Sequence, residues 1–117
     1  GNMCDLDYYQ SAISLMNSKA SDPSYFIFSN DIEWCKTNLS LNEATYIDWN
    51  TGKDSYIDMQ LMSACKHQII ANSSFSWWGA WLNQNPDKII IAPDKWINGE
   101  KYNDSEIVPK SWIKIRR

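Results

Sequence analysis

Basic clusters, metal-ligand spacings and disulfide frameworks are all missing from this sequence. Its 117 residues include 11 Lys and Arg against 14 Asp and Glu, which gives a net charge of −3, and no cluster of Lys or Arg is longer than the terminal KIRR. We therefore do not expect it to hold a nucleic-acid backbone. One histidine and three widely spaced cysteines favour reduced thiols in a cytoplasmic setting and offer no metal site.

Long apolar runs are absent as well. No stretch approaches the roughly 18 residues that suggest a membrane span, and no charged start followed by an apolar block suggests a signal peptide. Aromatic residues, in contrast, are abundant, since seven Trp, six Tyr and three Phe make up 14% of the chain. A chain of this length fits one domain with a real core.

Apolar periodicity predicts helices that alternate with short strands. The helices are expected at 6–20, 30–39, 55–65 and in the Trp-rich segment, and the strands at 25–29, 44–48, 67–72 and 88–93. This alternation implies βαβ units, and hence a parallel sheet with helices on both faces. A polar tail follows and ends in a short apolar stretch with the pattern of either a helix or a strand. We therefore expect a single α/β domain over residues 1–117.

Two of these helices have an apolar face that we expect to pack against the sheet. In helix 55–65 the apolar residues share one face and Asp58 opens the opposite one. In the Trp-rich helix, Trp77 and Trp81 share a face. The residues expected to pack are Ile57, Leu61, Met62 and Cys65 in the first of these helices and Trp77, Trp81 and Leu82 in the second.

The loops that follow the strands are where a ligand is expected, because parallel sheets bind ligands outside the carboxyl ends of their strands. The loop NSSFS after the third strand is the most informative. Ser73, Ser74 and Ser76 supply hydroxyl groups, and the helix start behind them favours an anion such as a phosphate or diphosphate. The alternative is that a serine caps the helix and does nothing more. The residues alone leave both interpretations open.

Other polar residues near strand ends have the same ambiguity. Asp58 is able to accept the paired ring N–H and amine donors of guanine, or to act as a first-turn carboxylate that favours the helix dipole. Asn30 and Asp31 either contact a ligand or cap the second helix. His67 has no partner at ligand spacing, so we expect it to be structural. The Asp-x-Asp of residues 5–7 precedes a helix, and we expect it to cap that helix.

Several segments together resemble glycosyltransferase family 11, the α-1,2-fucosyltransferases. They are LDYYQSAI, YFIFSNDIEWCK, ATYIDWN and DMQLMSACKHQIIANSSFSWWGAWLNQNPDKIIIAPDKW, in the family's order and with similar intervals. The resemblance covers residues 4 to about 112, and MSACKHQIIANSSFSWWGAWL is its most specific part. It implies a Rossmann-like, C-terminal donor domain of a GT-B enzyme that transfers L-fucose from GDP-fucose to a galactoside hydroxyl, with inversion and without an essential metal or other cofactor.

The resemblance also implies a donor site, although it assigns no catalytic residue. Carried over by position, Asp58 would receive the guanine, and residues 73–76 would meet the diphosphate and fucose. Asn30 stands where the family usually has the first residue of an Asp-Asp pair, and is a departure from the pattern. The donor-site residues are Asn30, Asp31, Asp58, Ser73, Ser74, Phe75 and Ser76.

The family carries an HxRRGD-like motif on a strand shortly before the segment that matches CDLDYY, and this sequence begins after that point. The resemblance therefore implies a fragment of a bacterial enzyme that lacks the diphosphate-binding arginine and the acceptor-binding N-terminal half, and that is inactive by itself. The full-length enzyme is expected in the cytoplasm or at the inner face of the membrane. If the lost strand belongs in the middle of the sheet, its exposed neighbours favour a homo-oligomer.

Two non-catalytic interpretations compete with the enzyme. A flavodoxin-like module, such as a phosphoacceptor receiver, fits the α/β order but should have Asp at the end of the third strand, where this chain has Asn72 and Ser73. A carbohydrate-binding module requires Trp77, Trp78 and Trp81 to be exposed in a row. Helical spacing turns Trp78 about 100° away from the other two, which is more typical of packing.

Overall fold

The elements predicted from the sequence are present in the predicted order. The computed structural model describes residues 4–29, 31–39, 41, 43–48, 54–94 and 108–116, so the predicted donor-site residue Asn30 lies outside the described residues. The terminal apolar stretch is a strand. The elements are α1 (Leu6–Lys19), β1 (Tyr25–Ser29), α2 (Ile32–Asn38), β2 (Ala44–Asp48), α3 (Ser55–Ala64), β3 (Gln68–Ile69), α4 (Ser74–Trp81), β4 (Ile90–Pro93) and β5 (Ile113–Ile115).

The described strands form two parallel sheets instead of the single sheet that we expected. One has the order β1-β2 and the other the order β3-β4-β5, and every pair is parallel. The α/β class and the parallel pairing are therefore confirmed, whereas one continuous sheet is not found among the described strands. Periodicity reports which residues are buried along a strand, but it does not report which strands are neighbours.

The three-stranded sheet is covered on both faces, as expected. On one face Ile91 packs against Ala12 and Met16 of α1. On the other face Ile90 and Ala92 form a cluster with Ala80 of α4, together with Ile70, Val108 and Trp112. Successive residues of β4 thus point to opposite helices, which explains why the run IIIA is apolar without alternation.

The hydroxyl of Tyr8 completes the ladder between β3 and β4. In this ladder Ile70 donates its N–H to Ile91 at 2.9 Å, and the next rung would run from the N–H of residue 93 to the carbonyl of Ile70. Residue 93 is a proline and has no N–H. The fully buried Tyr8 donates to the Ile70 carbonyl instead, with the Ile91 carbonyl 3.3 Å away. Helix α1 is thereby fixed to the carboxyl ends of both strands.

Helix α3 buries a different face from the one predicted. Ile57 and Leu61 are 40% and 49% exposed, whereas Asp58 is 1% exposed. The prediction that Asp58 opens the outer side of the helix is therefore wrong. The contact with α4 decides the orientation, because a Cβ added to Gly79 would lie only 2.6 Å from the sulfur of Met62.

Helix α4 also buries a different face from the one predicted. Its buried residues are the small ones, Ser76, Gly79 and Ala80, since a seam this close has no room for indole rings. Trp78 and Trp81 are consequently 46% and 51% exposed, and Leu82 is exposed as well. The prediction that Trp81 and Leu82 pack inward is wrong. The prediction holds for Trp77, which packs against the core cluster.

Candidate functional site

The segment NSSFS lies at the junction between β3 and α4, as the sequence predicts. Ser73 has extended backbone angles and is the N-cap of α4, with its hydroxyl accepting the N–H of Ser76 at 3.2 Å. The side-chain oxygens of these two serines are 2.8 Å apart. Serine is a preferred N-cap because its short side chain reaches a first-turn N–H that has no acceptor inside the helix. Ser73 therefore caps α4.

Ser76 holds the loop from inside. It is buried, and its hydroxyl lies 2.9 Å from the carbonyl of Ala71 and 3.1 Å from that of Ser73. When Ser76 donates to Ala71, Ser73 is able to donate to Ser76 in turn, which places both hydroxyl groups in bonds within the loop. A direct ligand contact by the Ser76 side chain would have to break this arrangement.

Ser74 and Phe75 are better placed to meet a ligand. Ser74 is exposed and Phe75 half-buried, and both stand in the first turn of α4. N–H groups in a first turn point out of the helix, and the helix dipole adds partial positive charge there. The loop therefore offers an anion the start of a helix, the exposed Ser74 hydroxyl and a bend that Ser73 and Ser76 hold in shape.

Asp58 lies beside this helix start. Asp58 precedes Met62 by one helical turn, and Met62 packs on Gly79 of α4. Phe75 precedes Gly79 by one turn in the same way. Both helices run into parallel strands, β3 and β4, and pack against each other, so they run in the same direction. Asp58 is therefore level with the first turn of α4. Its near-complete burial was not predicted.

Asp31 belongs to the other sheet. It is the N-cap of α2, and its carboxylate accepts the N–H of Trp34 at 3.1 Å. Its own N–H donates to the Ser29 hydroxyl at 2.9 Å. Asp31 therefore caps α2, and it is exposed at the carboxyl end of β1. Residues 73–76 and Asp58 are thus brought together, whereas Asp31 follows the two-stranded sheet.

Two neighbours of this site were not predicted from the sequence. Asn72 follows β3 and directly precedes the capping serine, and its side-chain oxygen lies 3.6 Å from the sulfur of Cys4. Asp94 is half-buried after β4, and its N–H donates to the Ile115 carbonyl at 2.8 Å. The signal for both was available, because each is the first polar residue after a buried strand.

Two further predictions are confirmed by hydrogen bonds. His67 is structural, since its Nδ1 accepts the N–H of Ile89 at 2.9 Å and so joins the start of β3 to that of β4. Asp5 caps α1 by accepting the N–H of Tyr8 at 2.9 Å.

Within the described residues, no group of three His, Cys, Asp or Glu side chains is arranged to hold a metal ion. No helix in that part of the chain has the length and apolar character needed to cross a bilayer.

The tryptophans of α4 make a continuous aromatic surface. The rings of Trp77 and Trp81 stack with centroids 5.1 Å apart and planes 9° apart, and Trp78 meets Trp77 edge to face at 4.9 Å. Trp77 anchors this surface to the core, where its ring lies 6.3 Å from that of Trp112. An exposed row of three tryptophans, as a carbohydrate-binding module would require, is therefore not present. The exposed indoles are those of Trp78 and Trp81.

Comparison with known proteins gives a consistent set of relatives. The family model for glycosyl transferase family 11 matches residues 1–116. The O-antigen biosynthesis glycosyltransferase WbnK of Escherichia coli is 42% identical over 112 residues, which is 94% of this chain and 36% of that protein. The alpha-1,2-colitosyltransferase of Escherichia coli is 38% identical over 117 residues, which is 98% of this chain and 40% of that protein.

A more distant relative is human galactoside alpha-(1,2)-fucosyltransferase 1, which is 26% identical over 94 residues, or 79% of this chain and 26% of that protein. No solved structure matches the chain significantly. The chain spans about two-fifths or less of the length of each of these relatives.

Proposed function

The chain belongs to glycosyltransferase family 11, and from that premise we propose that it is the donor-binding part of an enzyme that transfers L-fucose from GDP-fucose to a galactoside hydroxyl. The transfer would form an α-1,2 linkage with inversion and without a metal ion. We propose that the full activity belongs to a longer protein, which is supported by this chain's coverage of 36% and 40% of two bacterial relatives.

The observation that carries the proposal is the junction between β3 and α4. A parallel strand is followed there, after residues 70–73, by a helix start that is shaped by Ser73 and Ser76 and begins with the exposed Ser74. This is the kind of place where open α/β sheets bind the phosphates of nucleotides. The diphosphate of the donor would meet the helix start, and the dipole of α4 would stabilise the charge that grows on the diphosphate as the sugar leaves.

Asp58 is our candidate for reading the base. Its carboxylate is level with the first turn of α4, and it is an acceptor able to pair with the ring N–H and the amine of guanine. Because Asp58 is 1% exposed, the proposal requires the first turn of α3 to move when the base binds. Asn30 and Asp31 would complete the donor site from the carboxyl end of β1.

The acceptor and the missing charge would come from the rest of the protein. The net charge of this chain is −3, and a leaving diphosphate needs cationic partners that serine hydroxyls do not replace. We therefore propose that the isolated chain has no transferase activity and that the galactoside binds to the remaining polypeptide.

Colitose is a second candidate for the transferred sugar. The alpha-1,2-colitosyltransferase is a more similar relative than the human fucosyltransferase, at 38% against 26% identity. Colitose lacks one hydroxyl group that L-fucose carries, so a site shaped for one of these sugars is able to hold the other. A comparison of GDP-fucose with GDP-colitose in the full-length enzyme separates the two donors.

The proposal is tested by calorimetric titration of this chain with nucleotides. We expect GDP to bind and UDP and ADP to bind more weakly. Inosine diphosphate, which lacks the amine of guanine, isolates the contact with Asp58. We expect it to bind roughly 10-fold more weakly than GDP, because a hydrogen bond to a charged group contributes about 1.5 kcal/mol or more. In Asp58→Ala, which removes the acceptor, the preference for GDP over inosine diphosphate should disappear. Equal binding of all four nucleotides to the unmodified chain would refute the base-reading role.

The variant Ser74→Asp separates the diphosphate site from a mere helix cap. A carboxylate in the first turn of a helix stabilises it by about 0.3–1 kcal/mol, yet it repels a diphosphate. We expect an unchanged or higher melting temperature together with weaker GDP binding. Ser74→Asn, which adds no charge, is the matched control and should bind GDP more tightly than Ser74→Asp. Unchanged GDP affinity in Ser74→Asp would remove the diphosphate from this helix start.

A further inference from the structure

A small pocket lies at the carboxyl end of α4. It is lined by Trp81, Lys88, Pro109, Ser111 and Trp112. Trp81 ends α4, Lys88 precedes β4 and the other three precede β5, so the pocket is at the amino ends of the strands. The loop NSSFS is at the opposite end of α4, and the eight residues of that helix separate the two by about 12 Å.

One wall of the pocket is an indole. Trp77 stacks on one face of Trp81 with the ring planes 9° apart, yet Trp81 is 51% exposed. The opposite face of the Trp81 ring is therefore what remains for the pocket. Buried Trp112 and half-buried Pro109 complete the apolar part of the lining. The pocket thus offers a flat apolar surface to a ligand.

The cation of the pocket is held in position. The Lys88 ammonium donates to the Asn83 carbonyl at 2.8 Å, and the Lys88 backbone N–H donates to the Asn85 carbonyl at 3.2 Å. Asn83 itself is buried, and its side chain donates to the Lys66 carbonyl at 3.0 Å and to the Gln68 side chain at 2.8 Å. An ammonium has three N–H donors, so the bond to Asn83 leaves donors for a ligand.

Another wall is a closed turn. The N–H of Trp112 donates to the Pro109 carbonyl at 3.0 Å, and Val108, directly before the turn, belongs to the core cluster. Ser111 is exposed in this turn, and its hydroxyl is able both to donate and to accept. The pocket is therefore built from fixed elements, and a ligand that enters it has few groups to order.

These groups favour one class of ligand. The cavity measures about 200 Å³, which is below the roughly 300–1,000 Å³ of sites for drug-sized molecules, so it suits a single ring. An indole face also attracts cations, but Lys88 repels them and no acid is among the described residues that line the pocket. A pyranose sugar suits both parts of the lining, because it has a C–H face that packs on an indole and hydroxyl groups that accept from an ammonium.

We propose that this pocket binds one pyranose residue of a glycan, with the C–H face of the sugar on Trp81 and its hydroxyl groups at Lys88 and Ser111. The membership of the chain in a glycosyltransferase family supports this class of ligand, because such enzymes act on saccharides. One indole stacks on one sugar ring, so the site needs no row of tryptophans. The sugar pocket does not depend on the proposed GDP site, and either proposal is able to fail without the other.

NMR spectra of the isotope-labelled chain test the proposal, because each indole N–H gives its own signal. The probes are methyl β-D-galactopyranoside and methyl β-D-glucopyranoside. Sorbitol, which has hydroxyl groups but no ring, is the control ligand. We expect at least one glycoside to shift the Trp81 indole and the Ser111 amide in a saturable way, with a Kd of about 1 mM or weaker for a ligand this small. Sorbitol should leave both signals in place.

Three variants of the chain assign the contacts. In Trp81→Ala the shift of the Ser111 amide should disappear. Trp78→Ala is the matched control, because Trp78 is 46% exposed on the same helix and also meets Trp77, but it does not line the pocket; this variant should bind like the parent. Lys88→Met keeps the indole and most of the aliphatic stem, and it should weaken binding roughly 10-fold through the loss of a charged donor. It also keeps the proposal testable if Trp81→Ala does not fold.

Several outcomes would overturn the proposal. One is the absence of a saturable shift with either glycoside, and another is an equal shift with sorbitol. Glycoside binding that survives in folded Trp81→Ala, or that is unchanged in Lys88→Met, would place the sugar elsewhere. If the glycosides have no effect and the Trp81 signal responds to GDP, or to vesicles of anionic lipid, the surface belongs to a nucleotide or a membrane instead.

Discussion

Replacement of Tyr8 by phenylalanine tests the link between α1 and the end of the β3-β4 ladder. The ring is fully buried, and phenylalanine keeps its shape, so the change removes only the hydroxyl. The Ile70 carbonyl then loses its donor, because Pro93 has no N–H to offer. Burial raises the pKa of Tyr8 well above its usual value, and the hydroxyl is therefore a donor throughout the working pH range.

The expected loss is about 1–3 kcal/mol of unfolding free energy, the cost of a buried acceptor left without a hydrogen bond. For a domain of this size each kcal/mol lowers the melting temperature by roughly 4 °C. Thermal unfolding followed by circular dichroism should thus show a decrease of about 4–12 °C. Tyr25→Phe is the matched control, since its hydroxyl bonds the exposed Asn17 at 2.6 Å. We expect this control to stay within about 0.5 kcal/mol of the parent.

A double-mutant cycle tests whether the Tyr8 hydroxyl replaces the hydrogen bond that Pro93 is unable to donate. Pro93→Ala restores the N–H that the ladder lacks, so Tyr8→Phe should cost less in the Pro93→Ala background than in the parent. If Tyr8→Phe leaves the melting temperature unchanged, or costs the same in both backgrounds, the hydroxyl does not replace the missing rung.

Two other substitutions test the seams around the site. Gly79→Ala should destabilise the chain by up to about 2 kcal/mol, because overpacking against Met62 costs about 1–3 kcal/mol and the higher helix propensity of alanine offsets about 1 kcal/mol of this. In a Met62→Ala background the same change should stabilise the chain. Equal effects in both backgrounds would contradict the close contact. His67→Ala should lower the free energy of unfolding, measured in urea, by about 1 kcal/mol, because the Ile89 N–H loses its acceptor. His67→Asn retains an acceptor and should lower it less. The opposite ranking would argue against the role of Nδ1.

The order and type of the elements could be predicted from the sequence because each strand is a short apolar run between polar turns. The buried faces of α3 and α4 could not. Ile57 and Leu61 lie on one face of α3 at helical spacing, but the adjacent face, which carries Asp58, is the buried one. Spacing alone does not choose between adjacent stripes. The choice depends on the tertiary contact of Met62 with Gly79, which joins residues far apart in sequence.

The candidate site was predictable in part for a similar reason. The junction at Ser73 follows from a strand, a preferred cap and a helix in succession. The different roles of Ser73, Ser74 and Ser76 depend on which hydroxyl turns inward, and only the contact of Ser76 with the Ala71 carbonyl decides this. The division into two sheets depends on strand neighbours, about which local sequence says nothing.

The contacts of Tyr8 also have a consequence for the order in which the chain acquires its structure during synthesis. The hydroxyl bonds carbonyls 62 and 83 residues farther along, so α1 is made long before the strands that hold it. At a translation rate of about 5–20 residues per second, β4 follows Tyr8 by roughly 4–17 s. Contacts of such wide sequence separation form late and slow the folding of a small domain. Throughout that interval the apolar side of α1 is without its own sheet, and the nascent chain is then most open to a chaperone.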